Sequence, residues 1–135
     1  MKRSVNTVIT NRAGLLLLQM RDGNPGICHP LQWNFFGGGL ATGEEPVSGG
    51  RRELQEEIGV EAPPDSFVVL GTITDEQQSV TVVKCLLTIE KQQIQLNEGA
   101  GFGYFTLKDL ESIDATPMTR LIVQRLLSAP AVRGA

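Results

Sequence analysis

Along this chain, apolar residues gather in short runs separated by glycine, proline and amide clusters. That punctuation predicts mostly strands and two helices. "SVNTVIT" (Ser4 to Thr10) and "LLLLQM" (Leu15 to Met20) flank the turn-forming "NRAG" and read as a β-hairpin. "RDGNPGICHP" (Arg21 to Pro30) is a loop, and "QWNFF" (Gln32 to Phe36) is a short aromatic strand running into three glycines. "SFVVLGTIT" and "SVTVVKCLLTIE" are β-branched runs separated by "DEQQ", a second hairpin. "GYFTL" (Gly103 to Leu107), after the loop "NEGAG", is one more strand. The tail "TPMTRLIVQRLLSA" has Thr116 as a helix cap, Pro117 in the first turn, and Met118, Leu121, Ile122 and Leu126 near helical spacing.

Between these strands lies the other helix. Pro46 after Gly43, Glu44 and Glu45 marks its start, and Gly59 followed by "VEAPP" marks its end, so it spans Pro46 to Ile58. Val47, Leu54 and Ile58 collect on one side, while Glu53, Glu56 and Glu57 occupy an adjacent arc through their +3 and +4 spacing. Strands alternating with helices, with no repeat, linker or low-complexity tract, predict an α/β or α+β sandwich over residues 1–135 as a single domain.

Composition narrows the partners. The chain has 135 residues, 41% of them hydrophobic, as expected for one globular core. Its net charge of -3 offers no general attraction to nucleic-acid phosphates or anionic lipid, so a phosphorylated ligand would need a local site or a metal. No run approaches the roughly 20 apolar residues of a membrane helix, and "MKRSVNTVIT" lacks a signal-peptide core, so the expected location is the cytoplasm. Cys28, Cys85 and the single His29 give too few ligands for structural zinc. Cys28 beside His29 is not read as a nucleophile and its base, because neighbours on an extended segment point to opposite sides.

The stretch "GGGLATGEEPVSGGRRELQEEIGV" (Gly37 to Val60) carries the chemistry. Like charges three and four residues apart destabilise a helix by a few tenths of a kcal/mol each, and acids near its C-terminus oppose the macrodipole. A divalent cation such as Mg²⁺ or Mn²⁺, which prefers oxygen ligands, reverses that penalty. A solvated acidic face paired with Arg51 and Arg52 is the competing explanation. Gly37, Gly38 and Gly39 tilt the balance toward a ligand, since a loop free of side chains can turn carbonyls to a metal and leave room for phosphate. Gly49 and Gly50 each cost about 1 kcal/mol inside a helix, and close contact between helix and loop backbone is the expected reason.

Gly38, Glu44 and the run Arg52-Glu53-Leu54-Gln55-Glu56-Glu57-Ile58-Gly59-Val60 match the Nudix hydrolase signature at each of its defining positions. The chain resembles a single-domain, MutT-like member of that family. The resemblance implies an α/β/α sandwich with a mixed β-sheet between helices, dependence on Mg²⁺ or Mn²⁺, and hydrolysis of a nucleoside diphosphate linked to another group. By position, Glu53, Glu56 and Glu57 look like the helix-borne metal ligands and the Gly38 carbonyl like a further one. Arg52 resembles the arginine that orients the glutamates, and Glu44 the loop glutamate that binds metal or supports the cluster. The general base falls to Glu57, Glu53 or the loop residue Glu98, with Asp75 and Glu76 as weaker rivals.

Phe36, where a proline often stands in the family, and Ala41, where an acid often stands, leave the defining positions intact but weaken transfer of a particular substrate. Arg21 is expected at the lip of the pocket, either contacting a phosphate or solvated. Trp33 and Phe35 share a strand face that either stacks on a base or packs in the core, with packing the stronger reading. The expected substrate is a small nucleotide, first a nucleoside triphosphate cut to monophosphate and pyrophosphate, then a nucleotide sugar. A Nudix-like module that binds without hydrolysing is disfavoured because every motif glutamate is present. Neither a stable nucleic-acid complex nor a membrane partner is expected, and a homodimer is compatible with the chain.

Overall fold

A computed structural model describes residues 1–127 except 25, 27 and 28. Cys28 and the end of the C-terminal tail therefore lie outside the described residues. Seven strands run in the order β1 (Lys2–Val8), β2 (Leu16–Met20), β3 (Trp33–Asn34), β4 (Phe36–Gly39), β5 (Phe67–Thr74), β6 (Gln78–Cys85) and β7 (Gly101–Phe105). Helix α1 (Pro46–Ile58) lies between β4 and β5, and α2 (Pro117–Ile122) follows β7 and widens into a π turn over Val123–Leu127. No helix among the described residues is long and apolar enough to cross a membrane.

The helix expected over Pro46 to Ile58 has those bounds. Pro46 opens it and Gly59, at φ 70, closes it with its N–H donating to the Gln55 carbonyl. Thr116 caps α2 as expected, its hydroxyl accepting from the Thr119 N–H. The β5–β6 hairpin also forms, and Asp75 closes its turn by accepting the N–H groups of Gln77 and Gln78 at 2.8 and 2.9 Å.

Two expectations need correction. The Ser4–Thr10 and Leu15–Met20 runs meet only at the turn, where Thr10 bridges Leu16 and the Leu17 N–H reaches the Ile9 carbonyl. Beyond it they part. β1 pairs antiparallel with β4 and parallel with β6, whereas β2 lies between β3 and β7. The reason is that both hydrogen-bonding edges of β1 are taken, and the continuous Leu16–Leu18 run of β2 suits a strand covered on both faces. The Gln32–Phe36 segment likewise divides, Asn34 pairing with Gln19 and Phe36 with Thr7. There are thus two sheets among the described residues, a mixed one in the order β4-β1-β6-β5 and an antiparallel one in the order β3-β2-β7.

The layering is nevertheless α/β/α. The two faces of each strand enter opposite cores: Val5, Leu17 and Val83 pack with Leu54 and Ile58 of α1, while Val8, Leu18 and Val82 pack with Ile122 of α2. Leu54 and Ile58 are almost wholly buried, and each contributes about 1.5–3 kcal/mol by leaving water. This burial fixes the rotation of α1 and so decides where its glutamates face. Gly49 and Gly50 serve the same packing, though not through loop backbone. A Cβ at Gly49 would overlap the Leu40 side chain, and one at Gly50 would lie 3.1 Å from Val83 and 3.3 Å from the Thr7 hydroxyl.

Candidate active site

The acidic arc of α1 faces the glycine strand β4. Arg52 organises its outer part, with Nε and Nη2 donating to the two Glu44 oxygens at 2.9 and 3.0 Å, a bidentate pair. Its Nη1 donates to Glu53 at 2.9 Å and, more loosely, to Glu56 at 3.4 Å, while Nη2 also reaches the Gly39 carbonyl at 3.0 Å. One guanidinium therefore gathers the loop, the strand and two helix carboxylates. The Arg52 bond and the Ala41 N–H hold the Glu44 carboxyl down to about 2. Both Glu44 oxygens are thus engaged with Arg52.

Glu57 has a different setting. It is 2% exposed, and its Oε1 is buried with no hydrogen-bond partner among the described residues. Burial, reinforced by the charges of Glu53 and Glu98, pushes its carboxyl up to about 8, against the lowering effect of a backbone hydrogen bond from Gly37. Glu53 is raised as well, mainly by burial, with Arg52 opposing the shift.

Gly38 makes room beside Glu53. A Cβ at position 38 would fall 2.5 Å from the Glu53 Oε1. Gly38→Ala should therefore swing that carboxylate aside, lowering turnover about ten-fold and moving stability by less than about 1 kcal/mol because the displaced group is a flexible tip. Initial rates and urea unfolding check this; a wild-type rate in the variant would contradict a role for the Gly38–Glu53 contact.

Among the described residues, no three carboxylates converge on one point as the side chains stand. Arg52 draws Glu53 and Glu56 to itself, which accounts for this arrangement. The donor set still fits a hard divalent cation: it is all oxygen, it contains a buried carboxylate oxygen without a partner, and it lies against backbone that carries no Cβ.

The other expected residues sort by burial. Glu98 is exposed on the loop before β7 and lines a cleft of about 200 Å³ with Gln19, Arg21, Asp22 and Gly99. Arg21 and Glu98 are thereby brought together. Phe35 is wholly buried in the α2-side core, so it packs there and offers no face to a base; the substrate-contact reading is corrected. Its neighbour Trp33 remains partly exposed and meets Phe105 edge-on at 4.8 Å. Gly37 is required by the sheet, since a Cβ there would overlap the Val5 carbonyl oxygen, while space at Gly39 is open.

A wider cleft of about 580 Å³ beside Ser48, Arg51 and Gln55 lacks the acidic arc. Bonds from Arg51 to the Ala62 carbonyl and from Gln55 to Glu61 cross it, and it is the seam between α1 and the following loop. Sequence reading missed Gln19 and Asn97, both attached to the Glu98 loop. The signal for Gln19 was a carboxamide interrupting an otherwise apolar strand.

Two sheets between helices, with a glutamate-rich helix set against a glycine strand, define the Nudix class of α/β/α sandwich. The NUDIX domain model matches residues 1–126, and the chain belongs to that family. An RNA pyrophosphohydrolase of Gluconacetobacter diazotrophicus is 34% identical over 77 residues, which are 55% of this chain and 44% of that protein. The match thus spans less than half the length of that relative. Among solved structures, the Escherichia coli ORF135 protein superposes with a TM-score of 0.79 at 20% identity, covering 100% of this chain and 94% of its own. The MutT protein of Methanosarcina mazei gives 0.75 at 21%, covering 93% and 91%. At those identities the structural likeness speaks for the fold.

Proposed function

We propose that the protein hydrolyses a nucleoside triphosphate to the monophosphate and pyrophosphate, using Mg²⁺ or Mn²⁺. The observation that carries this reading is the unpartnered, buried oxygen of Glu57 beside Glu53 and the bare backbone of Gly38. Burying a carboxylate without a partner is costly, and a cation ligand is the role that offsets the cost.

Glu53, Glu56, Glu57 and the Gly38 carbonyl would hold the cation, with Glu44 acting through Arg52. A cation held there would supply charge to offset that of the phosphates and would make water a better nucleophile. Arg21 binds a phosphate of the substrate at the cleft it shares with Glu98. Glu98, on the loop fastened to the last turn of α1, accepts the proton of the attacking water. Attack at phosphorus forms one P–O bond and breaks the bridging P–O bond, so the leaving oxygen departs with its phosphate group. The expected setting is the cytoplasmic nucleotide pool.

The name of the bacterial relative, an RNA pyrophosphohydrolase, supplies a second substrate reading, an RNA bearing a pyrophosphate linkage. Chromatographic product analysis on nucleoside triphosphates, nucleotide sugars and triphosphorylated RNA, with and without Mg²⁺, separates these. Metal-dependent release of a monophosphate from a free triphosphate is expected. Turnover restricted to RNA or to nucleotide sugars would replace the substrate assignment, and none on any of them would leave a binding module.

A further inference from the structure

The geometry points to Gln19 as the positioning residue that holds the Glu98 loop over the α1 carboxylates. The inference rests on the reading of Glu98 as the group that takes the proton from water.

The loop from Gln95 to Ala100 is fastened on two sides. On one, the Gln95 N–H donates to the Ile58 carbonyl at 2.9 Å, the Asn97 N–H to the Glu57 carbonyl at 2.8 Å, and the Asn97 Nδ2 to the Glu56 carbonyl at 3.1 Å. These carbonyls belong to the last turn of α1, where no intrahelical partner exists. The loop thus caps the same turn that carries Glu56 and Glu57, and its height is fixed relative to them.

On the other side, the loop is fastened to β2. The Ala100 N–H donates to the Met20 carbonyl at 2.8 Å, and the Gln19 Nε2 donates to the carbonyl of Glu98 itself at 2.9 Å. Gly99 makes this approach possible, with φ at 90 and a position where a Cβ would lie 2.8 Å from both the Gln19 Nε2 and the Met20 oxygen. The backbone of Glu98 is therefore pinned while its side chain stays exposed toward the cleft.

Gln19 is 6% exposed, in a strand whose preceding residues are leucines. A buried carboxamide there costs free energy unless its hydrogen bonds are made, and an apolar side chain would satisfy the core more simply. Its donor is spent on the backbone carbonyl of Glu98.

Gln19→Met keeps the length and removes the donor. In the full chain without nucleotide, amide exchange at Gly99 and Ala100 should quicken about ten-fold while α1 amides keep their wild-type protection. With dGTP and Mn²⁺, kcat should fall about ten-fold with KM unchanged, and in a Glu98→Gln background the same change should add less than about two-fold. Gly99→Ala, which forces the turn off Gln19 from the other side, should reproduce the exchange and rate effects if Gln19→Met does not fold. Unchanged loop exchange, or losses from Gln19→Met and Glu98→Gln that simply multiply, would make Gln19 a packing residue only. Wild-type turnover by Glu98→Gln beside a slow Glu57→Gln removes the base assignment and the role of Gln19 with it, whereas slow Glu98→Gln beside fast Gln19→Met overturns Gln19 alone. The exchange measurement needs no turnover.

Discussion

Glu57→Gln loses about 10³-fold in turnover while gaining stability above neutral pH. The amide keeps the shape and burial of the carboxylate but cannot carry its charge to a cation. Stability changes in the opposite sense because the carboxyl is raised in the fold from 4.5 to about 8. Between those two values the folded protein holds a proton that the unfolded chain has released, so stability falls as pH rises through that window. Glu53, also raised, acts in the same direction. Glu44 acts oppositely, but its carboxyl is lowered and its contribution is lost only as pH falls from about 4.5 toward 2.

Metal-free wild type should therefore lose roughly 3 kcal/mol between pH 5 and pH 8, and Glu57→Gln should flatten most of that slope. Urea unfolding across the range reads it directly. A variant as steep as wild type would mean that Glu57 is not the buried acid that controls the slope, and a fast variant would remove it from the reaction.

The second large effect belongs to Arg52. Arg52→Met strips Glu44, Glu53 and Glu56 of their shared partner and frees the Gly39 carbonyl. Turnover should fall about 10²-fold as the glutamates lose their orientation. Stability should fall by only about 1–2 kcal/mol, since the guanidinium is 36% exposed and water screens part of the interaction. Arg52→Lys should recover little, because an ammonium cannot span both Glu44 oxygens and reach Glu53 together. Full activity in the lysine variant would show that charge alone, and not the fork geometry, matters at this position.

Much of this site was legible in the sequence because it is local. The bounds of α1, its apolar stripe and its acidic arc follow from residues within a few turns of each other, and the glycine strand lies immediately upstream. The strand partners were not legible. Whether Leu15–Met20 pairs with Ser4–Thr10 depends on β6 and β7, which arrive far later in the chain and take the competing edges. The same long-range competition splits Gln32–Phe36 between two sheets and seals Phe35 inside. Glu98 was recognisable as an acid on a suitable loop, but the bonds that hold it come from Gln19 and from the end of α1, and no local pattern joins those three places.

The most direct test of the account is ³¹P NMR of the triphosphate selected by the substrate screen, incubated with protein and Mg²⁺. Pyrophosphate and nucleoside monophosphate signals should grow together, and chelation or Glu57→Gln should abolish both. Orthophosphate with a nucleoside diphosphate, or an undiminished product signal after chelation, would contradict it.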